Sequence, residues 1–486
     1  MKRKGSVFHA FRESERPPGS WPAPWLMWEL RRWCFREGQP SEMVSKSAAL
    51  VSLGCAKNLV DSESMVSQLI ELGYEMTPEV SQAALILVNT CGFLESAVRE
   101  SIDTVLQLAG YKASGSCEKL VVAGCMVQRY GKKLLGLLPE VDLFLGTSHC
   151  HALKSFIRDH EAGSSERLRI AFPDHVDNGA DRHLVEGRSS AYVKIAEGCG
   201  NRCAFCLIPR LRGPYRSRRA VDILREAHRL VACGAKELNI VAQDTTAFGS
   251  DRGEEHALVS LLESLEEIEK LEWVRLLYAY PDRITPELIR TMSQSRKVVP
   301  YLDIPLQHCV PRILASMGRS GTDPERIVDA IRSGIPGVAL RTSLIVGFPG
   351  ETEADFQALT AFVECTGFEH LGVFAFSPEP GTRAARMPDR VPPDVAQERR
   401  KVLLELQRGI SRRRLESLVG RVLPVLVEGF HPETDLLLTG RLAVQAPEAD
   451  GTVLITDGIG TPGEIMRCRV TAAHDYDVEA ELLSAS

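Results

Sequence analysis

Three cysteines in one short loop constrain this chain more than any other feature of its sequence. Cys199, Cys203 and Cys206 form a C-x3-C-x2-C array within IAEGCGNRCAFCLIPRLRGPYRSR. Neither a helix nor a strand would point three thiols with that spacing at one centre, so the backbone must curl around it. Gly198 and Gly200 permit such curling. Zinc sites and fully ligated clusters use four protein ligands, so three cysteines leave one metal position open for chemistry.

A second group of cysteines closes three apolar runs nearer the amino terminus. LVSLGC ends at Cys55, LILVNTC ends at Cys91 and LVVAGC ends at Cys125, with helix-like segments between the runs. This pattern predicts a parallel α/β sheet whose three cysteines lie at the carboxyl edge, where ligands bind. A single cysteine is more often a buried core thiol. Equivalent positions in a repeated unit favour a second three-cysteine cluster.

A repeated pattern of strand, loop and helix follows. Six strands are predicted, near residues 192–196, 237–242, 274–278, 301–304, 341–346 and 370–376. Six β/α units make a partial barrel whose active site lies at the carboxyl ends of the strands. Gln243 follows the second strand, and Gly347 and Gly350 follow the fifth, where backbone can approach a ligand closely. A turn without a ligand is the alternative interpretation of these glycines.

Composition indicates a chain of several segments. The predicted segments are an extension (1–46), an α/β domain (47–157), a polar linker (158–190), the partial barrel (191–415) and a small β-barrel (416–486). The extension holds four of the five tryptophans and is expected to be disordered or to reflect a misplaced start, since Met43 precedes the first strand. No apolar run reaches signal-peptide or membrane-spanning length, which predicts a cytoplasmic protein without membrane contact. Thirteen cysteines in such a chain fit metal ligation in a reducing compartment.

From about Leu50 onward the chain resembles the methylthiotransferases, a family of radical S-adenosylmethionine (SAM) enzymes. The motifs that carry the resemblance are VSLGCAKNLVDSE (51–63), NTCGF (89–93), GCMVQRY (124–130), CAFCLIPRLRGPYRSR (203–218), LYAYP (277–281), DIPLQH (303–308), VGFPGET (346–352) and FSPEPGTRAA (376–385). The resemblance implies an α/β protein with an amino-terminal parallel domain, a partial (β/α)6 radical SAM barrel and a carboxyl-terminal OB-like TRAM barrel. The branch that modifies ribosomal protein S-twelve is the most similar, because the tRNA-modifying branch tends to show a VVPYTRG-like stretch where this chain has LIPRLRG (207–213).

The resemblance also implies cofactors, ligands and partners. Two [4Fe-4S] clusters are expected, one held by Cys199, Cys203 and Cys206 and binding SAM, the other held by Cys55, Cys91 and Cys125 and supplying sulfur. The further SAM contacts are expected at Gln243, Arg341, Gly347 and Gly350, with no catalytic side chain beyond the cluster ligands. The acceptor would be the β-carbon of an aspartate in the S-twelve protein, an unactivated position that suits radical chemistry. An electron donor such as flavodoxin or ferredoxin and a sulfur donor are the other implied partners.

Two other functions fit parts of this pattern. A tRNA adenosine methylthiotransferase would share the chemistry, and an iron–sulfur electron carrier would explain the cysteines but not the barrel. Residues 417–486 contain four Lys or Arg against eleven Asp or Glu, a formal charge of −7. Such a module should repel RNA and attract a basic ribosomal protein, so no direct tRNA substrate is expected. A merely solubilising acidic surface is the alternative explanation.

Overall fold

The chain folds into two parallel sheets with their helices, followed by a closed β-barrel. This computed structural model describes residues 46–177, 182–183 and 189–483, so the predicted extension lies outside the described residues except for Lys46. The predicted α/β architecture with a small terminal barrel is confirmed. Within the described ranges, no helix is long and apolar enough to span a bilayer.

The first sheet contains six parallel strands in the order β2-β1-β3-β4-β5-β6. The strands are β1 (Lys46–Ser52), β2 (Tyr74–Met76), β3 (Leu85–Thr90), β4 (Lys119–Gly124), β5 (Leu143–Gly146) and β6 (Leu168–Arg169). The helices are α1 (Ala56–Glu71), α2 (Glu95–Ala109), α3 (Tyr111–Ser114), α4 (Cys125–Tyr130), α5 (Lys133–Leu137) and α6 (Leu153–Glu161). The central strands are buried on both faces, which explains their nearly continuous apolar sequence.

The strand order of this sheet reverses at β1, which pairs with β2 on one side and with β3 on the other. Ligands of open parallel sheets bind at the carboxyl edge beside such a switch point. Helix α1 begins there and buries Met65, Val66 and Leu69 against the sheet. Its first turn also buries the polar side chains of Lys57 and Asn58, which face away from that apolar core.

The second sheet is the predicted partial barrel. Its six parallel strands are β7 (Ser190–Lys194), β10 (Glu237–Val241), β11 (Trp273–Leu276), β12 (Val298–Asp303), β13 (Ala339–Val346) and β14 (His370–Ala375). A short antiparallel ribbon, β8 (Ala196–Glu197) and β9 (Arg216–Ser217), follows β7. All six predicted strands are confirmed, with ends shifted by no more than three residues. Strand order follows chain order, and β7 and β14 are the edges of an open barrel.

Helices cover the outer face of this sheet, because every second side chain along its strands is apolar and points outward. In β10, Leu238 and Ile240 face the helices, whereas Glu237, Asn239 and Val241 face the lumen. The helices are α7 (Ile208–Leu211), α8 (Ala220–Ala232), α9 (Ala257–Glu266), α10 (Pro286–Gln294), α11 (Pro311–Met317), α12 (Pro324–Gly334), α13 (Glu353–Thr366) and α14 (Pro393–Glu416). Short 3-10 turns occur at Val80–Gln82, Thr147–Ala152, Thr245–Ala247, Ser250–Arg252, Pro281–Arg283 and Ala384–Arg386.

Other parts of the chain fill the lumen of the partial barrel. Val60 of α1 packs from the first sheet, and Leu426 and Ala446 pack from the terminal barrel, in one cluster with Tyr192 and Tyr301. The terminal barrel closes in the order β15-β16-β17-β19-β18. Its strands are β15 (Val422–His431), β16 (Thr434–Leu442), β17 (Val453–Asp457), β18 (Ile465–Ala473) and β19 (Val478–Leu482).

Candidate active site

Cys55, Cys91 and Cys125, here called the sheet cysteines, lie together at the carboxyl edge of the first sheet. Cys91 and Cys125 follow Thr90 and Gly124, which are register partners on β3 and β4. A Cβ atom on Gly54, beside Cys55, would lie 3.5 Å from the Cys91 sulfur. The three thiols therefore converge at the switch point of the sheet, as their equivalent places in the sequence predict.

Cys199, Cys203 and Cys206, here called the loop cysteines, occupy the connection after β7 and β8. Cys199 N–H donates to the Gly213 carbonyl at 3.1 Å. Gly198 has a φ of +74°, and a Cβ atom there would lie only 2.0 Å from the Pro214 carbonyl oxygen, so only glycine fits this turn. The loop is thus fixed at the carboxyl end of the partial barrel, where catalytic groups of such barrels lie.

Helix α7 separates the two cysteine sets. It begins two residues after Cys206. Leu207 and Leu211, before and at the end of this helix, form one buried cluster with Cys125. Because Leu207 directly follows Cys206, the loop that carries the loop cysteines reaches the buried surroundings of Cys125.

A buried group of charges joins these two parts of the molecule. The Arg212 guanidinium, just after α7, lies 2.6 Å from a carboxylate oxygen of Asp61 on α1 and 3.2 Å from one of Glu197. Lys194 lies 2.7 Å from Glu197 and also binds Asp61. Burial opposes ionisation of Glu197, but Lys194 and Arg212 outweigh it and hold the pKa of this carboxyl well below its usual range.

The thiols respond differently to their surroundings. Burial raises the pKa of Cys125 to about 11, of Cys199 to about 11 and of Cys206 to about 12. The surrounding protein also opposes ionisation of Cys55, but the Lys57 ammonium and the Arg212 guanidinium lower its pKa overall. Without a metal most of these thiols are protonated, and a bound cation would be needed to keep them as thiolates.

Both cysteine sets consist of free thiols, which can serve as metal ligands. All six thiols are free of disulfide bonds. Among the residues with assigned positions, no three Cys, His, Asp or Glu side chains are arranged around one ion. A zinc ion would need every sulfur within about 2.3 Å of itself, whereas the thiolates of a four-iron cluster bind different irons and stand farther apart.

The predicted SAM-contacting residues fall into two groups. Gln243 lies near the loop cysteines, where its Nε2 donates to Glu197 at 3.0 Å and its buried Oε1 has no partner. Gly350, with a φ of +85°, faces open space, since only the Arg312 guanidinium would approach a Cβ there, at 3.6 Å. An unpartnered buried acceptor and an open glycine turn both leave room for a polar ligand.

Gly347 and Arg341 are engaged by the protein itself. A Cβ on Gly347 would lie 2.4 Å from the Cβ of Ala396 on α14, so close helix packing accounts for this glycine. Arg341 lies near the start of β13, and its Nη1 is 2.5 Å from a carboxylate oxygen of Asp450 in the terminal barrel. None of these contacts places the Arg341 guanidinium beside the loop cysteines.

Sequence reasoning missed the charged residues that surround the cysteines. Arg212, Glu197 and Lys57 are each less than 9% exposed. Lys57 Nζ also lies 3.3 Å from the ring centroid of Tyr278, which has an unusual φ of +59°. Their positions in the sequence could have predicted this burial. A charged residue within or beside an apolar run that carries a cysteine has to be buried with a partner.

Three families match successive parts of the chain. Residues 47–146 match the family described as "Uncharacterized protein family UPF0004", residues 193–363 match the radical SAM superfamily, and residues 419–483 match the TRAM domain. The first match covers the sheet cysteines and the second covers the loop cysteines.

Curated relatives match almost over their whole length. The chain is 46% identical to the ribosomal protein uS12 methylthiotransferase RimO of Syntrophotalea carbinolica, over 92% of this chain and 99% of the relative. It is 45% identical to RimO of Trichlorobacter lovleyi, over 91% of this chain and 99% of the relative. It is 46% identical to RimO of Geobacter sulfurreducens, over 90% of this chain and 99% of the relative.

A solved structure supports the fold. The chain superposes on the radical SAM methyltransferase TsrM from Kitasatospora setae, solved with a tryptophan substrate and a SAM analogue, with a TM-score of 0.51. The two chains are 14% identical, and the match covers 68% of this chain and 73% of TsrM. At this identity the similarity concerns the fold alone.

Proposed function

This chain belongs to the family of the RimO ribosomal protein uS12 methylthiotransferases, and we propose that it transfers a methylthio group to the β-carbon of an aspartate in uS12, the S-twelve protein. It is a radical SAM enzyme, and SAM with one [4Fe-4S] cluster is its family cofactor set. The observation that carries the proposal is that Leu207, the residue after Cys206, lies in one buried cluster with Cys125, because sulfur insertion needs both a radical source and a sulfur source at one place.

The two cysteine sets divide these tasks in our proposal. The loop cysteines hold the cluster that binds SAM, and the sheet cysteines hold a second [4Fe-4S] cluster. When bound, the two clusters and SAM supply the radical, sulfur and methyl chemistry, while the protein contributes positioning and exclusion of water. Support comes from the free thiols and from the buried cations beside the sheet cysteines. Each set also supplies only three ligands, which leaves one iron of a four-iron cluster open.

The SAM-contacting residues are also part of the proposal. Gln243 would offer its unpartnered Oε1 to a donor group of SAM, and the open turn at Gly350 would allow backbone contact. Gly347 and Arg341 would shape the site from behind, since Gly347 packs on α14 and Arg341 ties β13 to the terminal barrel. In this scheme no side chain beyond the cluster ligands takes part in catalysis.

The charge of the terminal barrel supports uS12 over tRNA as the substrate. Of its four basic residues, Arg441 is buried and paired with Glu237 and Glu428, so it cannot contact phosphate. Exposed carboxylates such as Glu433 and Asp457 remain on the surface. An acidic surface of this kind favours a basic protein and repels a nucleic acid.

The remaining partners follow from the reaction. We infer an electron donor such as flavodoxin or ferredoxin, a separate sulfur donor, and action in the cytoplasm, where ribosomal proteins are made. We assign residues 47–157 to the sulfur-supplying domain, 158–190 to a connection, 191–415 to the radical SAM domain and 416–486 to the substrate-binding TRAM domain. Strand β6 (Leu168–Arg169) pairs with β5, so the first sheet extends into the proposed connection.

The decisive experiment offers both substrates to one enzyme preparation. Anaerobically reconstituted protein is incubated with SAM, sulfide, dithionite and either purified uS12 or tRNA that carries the modified adenosine without a methylthio group, and the products are digested and analysed by mass spectrometry. We expect one methylthio group on an aspartate-containing peptide of uS12 and none on tRNA. Methylthiolation of tRNA adenosine, with uS12 unchanged, would replace the proposal by its closest alternative.

A further inference from the structure

Arg212 occupies a singular position between the two cysteine sets. Its side chain is 4% exposed, although it belongs to the loop that follows α7. One nitrogen lies 2.6 Å from Asp61 and 3.2 Å from Glu197, and the other donates to the Asn58 side-chain oxygen. Arg212 therefore binds α1 of the first sheet and β8, just before Cys199, at the same time.

The same guanidinium acts on the sheet cysteines. Burial raises the pKa of the Cys125 thiol, and the charge of Arg212 offsets part of that rise; the same charge acts on Cys55. The Asn58 oxygen that Arg212 binds lies 3.9 Å from the Cys125 sulfur. Arg212 is thus connected to Cys125 through Asn58.

Buried charges of both signs surround Arg212. Asp61 and Glu197 offset Lys194 and Arg212 in number. Lys57 adds a further buried cation, which lies over the Tyr278 ring next to Cys55. The Lys57 charge also acts on the buried Asp303 carboxylate, so carboxylates lie near all three of these cations. Three thiolates on an iron–sulfur cluster would give a centre with net negative charge, which the Arg212 guanidinium would attract.

A purely structural ion pair is the competing explanation, because Arg212 also joins two parts of the chain. That explanation accounts for the contacts with Asp61 and Glu197. It leaves unexplained why Arg212 also binds Asn58, whose side-chain oxygen lies beside Cys125.

We propose that Arg212 is the positioning residue of the sheet-cysteine cluster, where it neutralises the charge of the cluster and holds it at a fixed place relative to the loop-cysteine cluster. The inference rests on the proposed function, since it needs a cluster at the sheet cysteines. Arg212 does not contact the substrate in this role. Its guanidinium fork is essential, because it binds a carboxylate and an amide oxygen in fixed directions, which a lysine cannot reproduce.

The test uses Arg212→Gln and Arg212→Lys, with Arg210→Gln as the matched control. Arg210 lies on α7 two residues away, but its side chain is exposed. Each change is made in the full-length protein and in a Cys199→Ala, Cys203→Ala, Cys206→Ala background, where iron reports on the sheet cysteines alone. Three quantities are measured. They are the iron per chain, the midpoint potential of that cluster in a dithionite titration followed by electron paramagnetic resonance, and the number of methylthio groups formed per SAM cleaved.

Loss of the cation should make the anionic cluster harder to reduce, so Arg212→Gln should shift the midpoint potential to more negative values. Methylthio groups per SAM cleaved should fall by about tenfold or more, a loss equivalent to about 1.4 kcal/mol. The Arg212→Lys protein should have a midpoint potential close to that of the parent, because lysine keeps the positive charge. It should still form few methylthio groups per SAM cleaved, because lysine lacks the two-pronged guanidinium. Arg210→Gln should match the parent protein.

A second variant keeps the inference testable if Arg212→Gln does not fold. Asp61→Asn removes a negative charge from the other side of Arg212, so the potential should shift to less negative values. A potential equal to that of the parent in Arg212→Gln, or in Asp61→Asn if Arg212→Gln does not fold, would overturn the role of Arg212. Absence of iron from the parent triple-alanine protein would instead overturn the second cluster of the proposed function.

Discussion

Arg441 of the terminal barrel binds Glu237 of the partial barrel, with Nη2 2.5 Å from Oε2, and neither side chain is more than 3% exposed. Arg275 binds the other oxygen of the same carboxylate at 2.8 Å. Burial opposes ionisation of Glu237, but Arg441 and Arg275 outweigh it and lower its pKa to about 2. The terminal barrel is therefore held on the amino-terminal end of β10 by a buried ion pair, besides its apolar contacts in the lumen.

Arg441→Met should destabilise the protein by about 3 kcal/mol, because removal of one partner leaves part of the Glu237 charge buried without compensation. Arg469→Met is the matched control, since Arg469 pairs with Glu481 in the same barrel but is 50% exposed. The control should cost less than about 1 kcal/mol. Urea unfolding of the two apoproteins, followed by circular dichroism, measures the difference, and equal midpoints would show that the buried pair does not stabilise the docked barrel.

Replacing each cysteine set separately should divide the activities of the enzyme. The Cys199→Ala, Cys203→Ala, Cys206→Ala protein should keep about half of the iron and lose SAM cleavage. The Cys55→Ala, Cys91→Ala, Cys125→Ala protein should keep SAM cleavage and lose methylthio transfer. Iron analysis and chromatography of 5′-deoxyadenosine measure both outcomes. If the two folded proteins lost both activities equally, the proposed division would be wrong.

His308 should make the folded state sensitive to acid. Its Nδ1 accepts the Val310 N–H at 3.0 Å, so Nε2 carries the proton, yet Nε2 is buried without a partner, 3.7 Å from Glu351. Burial lowers the pKa of His308 to about 4. The unfolded chain therefore binds a proton near pH 6.5 that the folded chain does not, and stability is lost as the pH falls from about 6.5 towards 4.

His308→Leu should remove this pH dependence. Relative to the variant, the parent protein should lose about 3 kcal/mol of its free energy of unfolding between pH 7 and pH 4. His228→Leu, on the exposed face of α8, is the control and should leave the parent profile unchanged. Urea unfolding of the apoproteins at several pH values measures the profiles, and parallel profiles of parent and His308→Leu would contradict the prediction.

Charge reversal on the terminal barrel should weaken binding of uS12. Glu433 and Asp457 are exposed, so Glu433→Lys with Asp457→Lys changes the surface charge while sparing the buried pairs. Asp475 and Asp477 are poorer targets, since Asp475 faces Arg412 at 3.6 Å and Asp477 accepts the Thr452 N–H at 2.7 Å. Affinity should fall most clearly at low salt, because ions screen exposed charges.

Two controls make the charge experiment specific. Glu263→Lys changes the charge on α9 of the partial barrel by the same kind of substitution and should leave the affinity unchanged. SAM cleavage should be unaffected in all variants. Calorimetry with uS12 at two salt concentrations measures the effect, and unchanged affinity of the double variant would assign these carboxylates to solubility alone.

The sequence by itself determined the local features of this protein. Strands, turns and helices depend on neighbouring residues, so alternation of apolar residues and the placement of glycine predicted all six strands of the partial barrel to within three residues. The same reasoning placed Cys91 and Cys125 at the ends of adjacent strands, because parallel strands share one carboxyl edge.

Only the tertiary structure decided which distant residues meet. Arg212 and Asp61 are 151 positions apart, and Arg441 and Glu237 are 204 positions apart, yet each pair is buried. No periodicity encodes such a contact, because it depends on how complete sheets pack against each other. The sequence therefore revealed the thiols that can hold the cofactors, and the packing of the first sheet and the terminal barrel on the partial barrel supplied the buried charges around them.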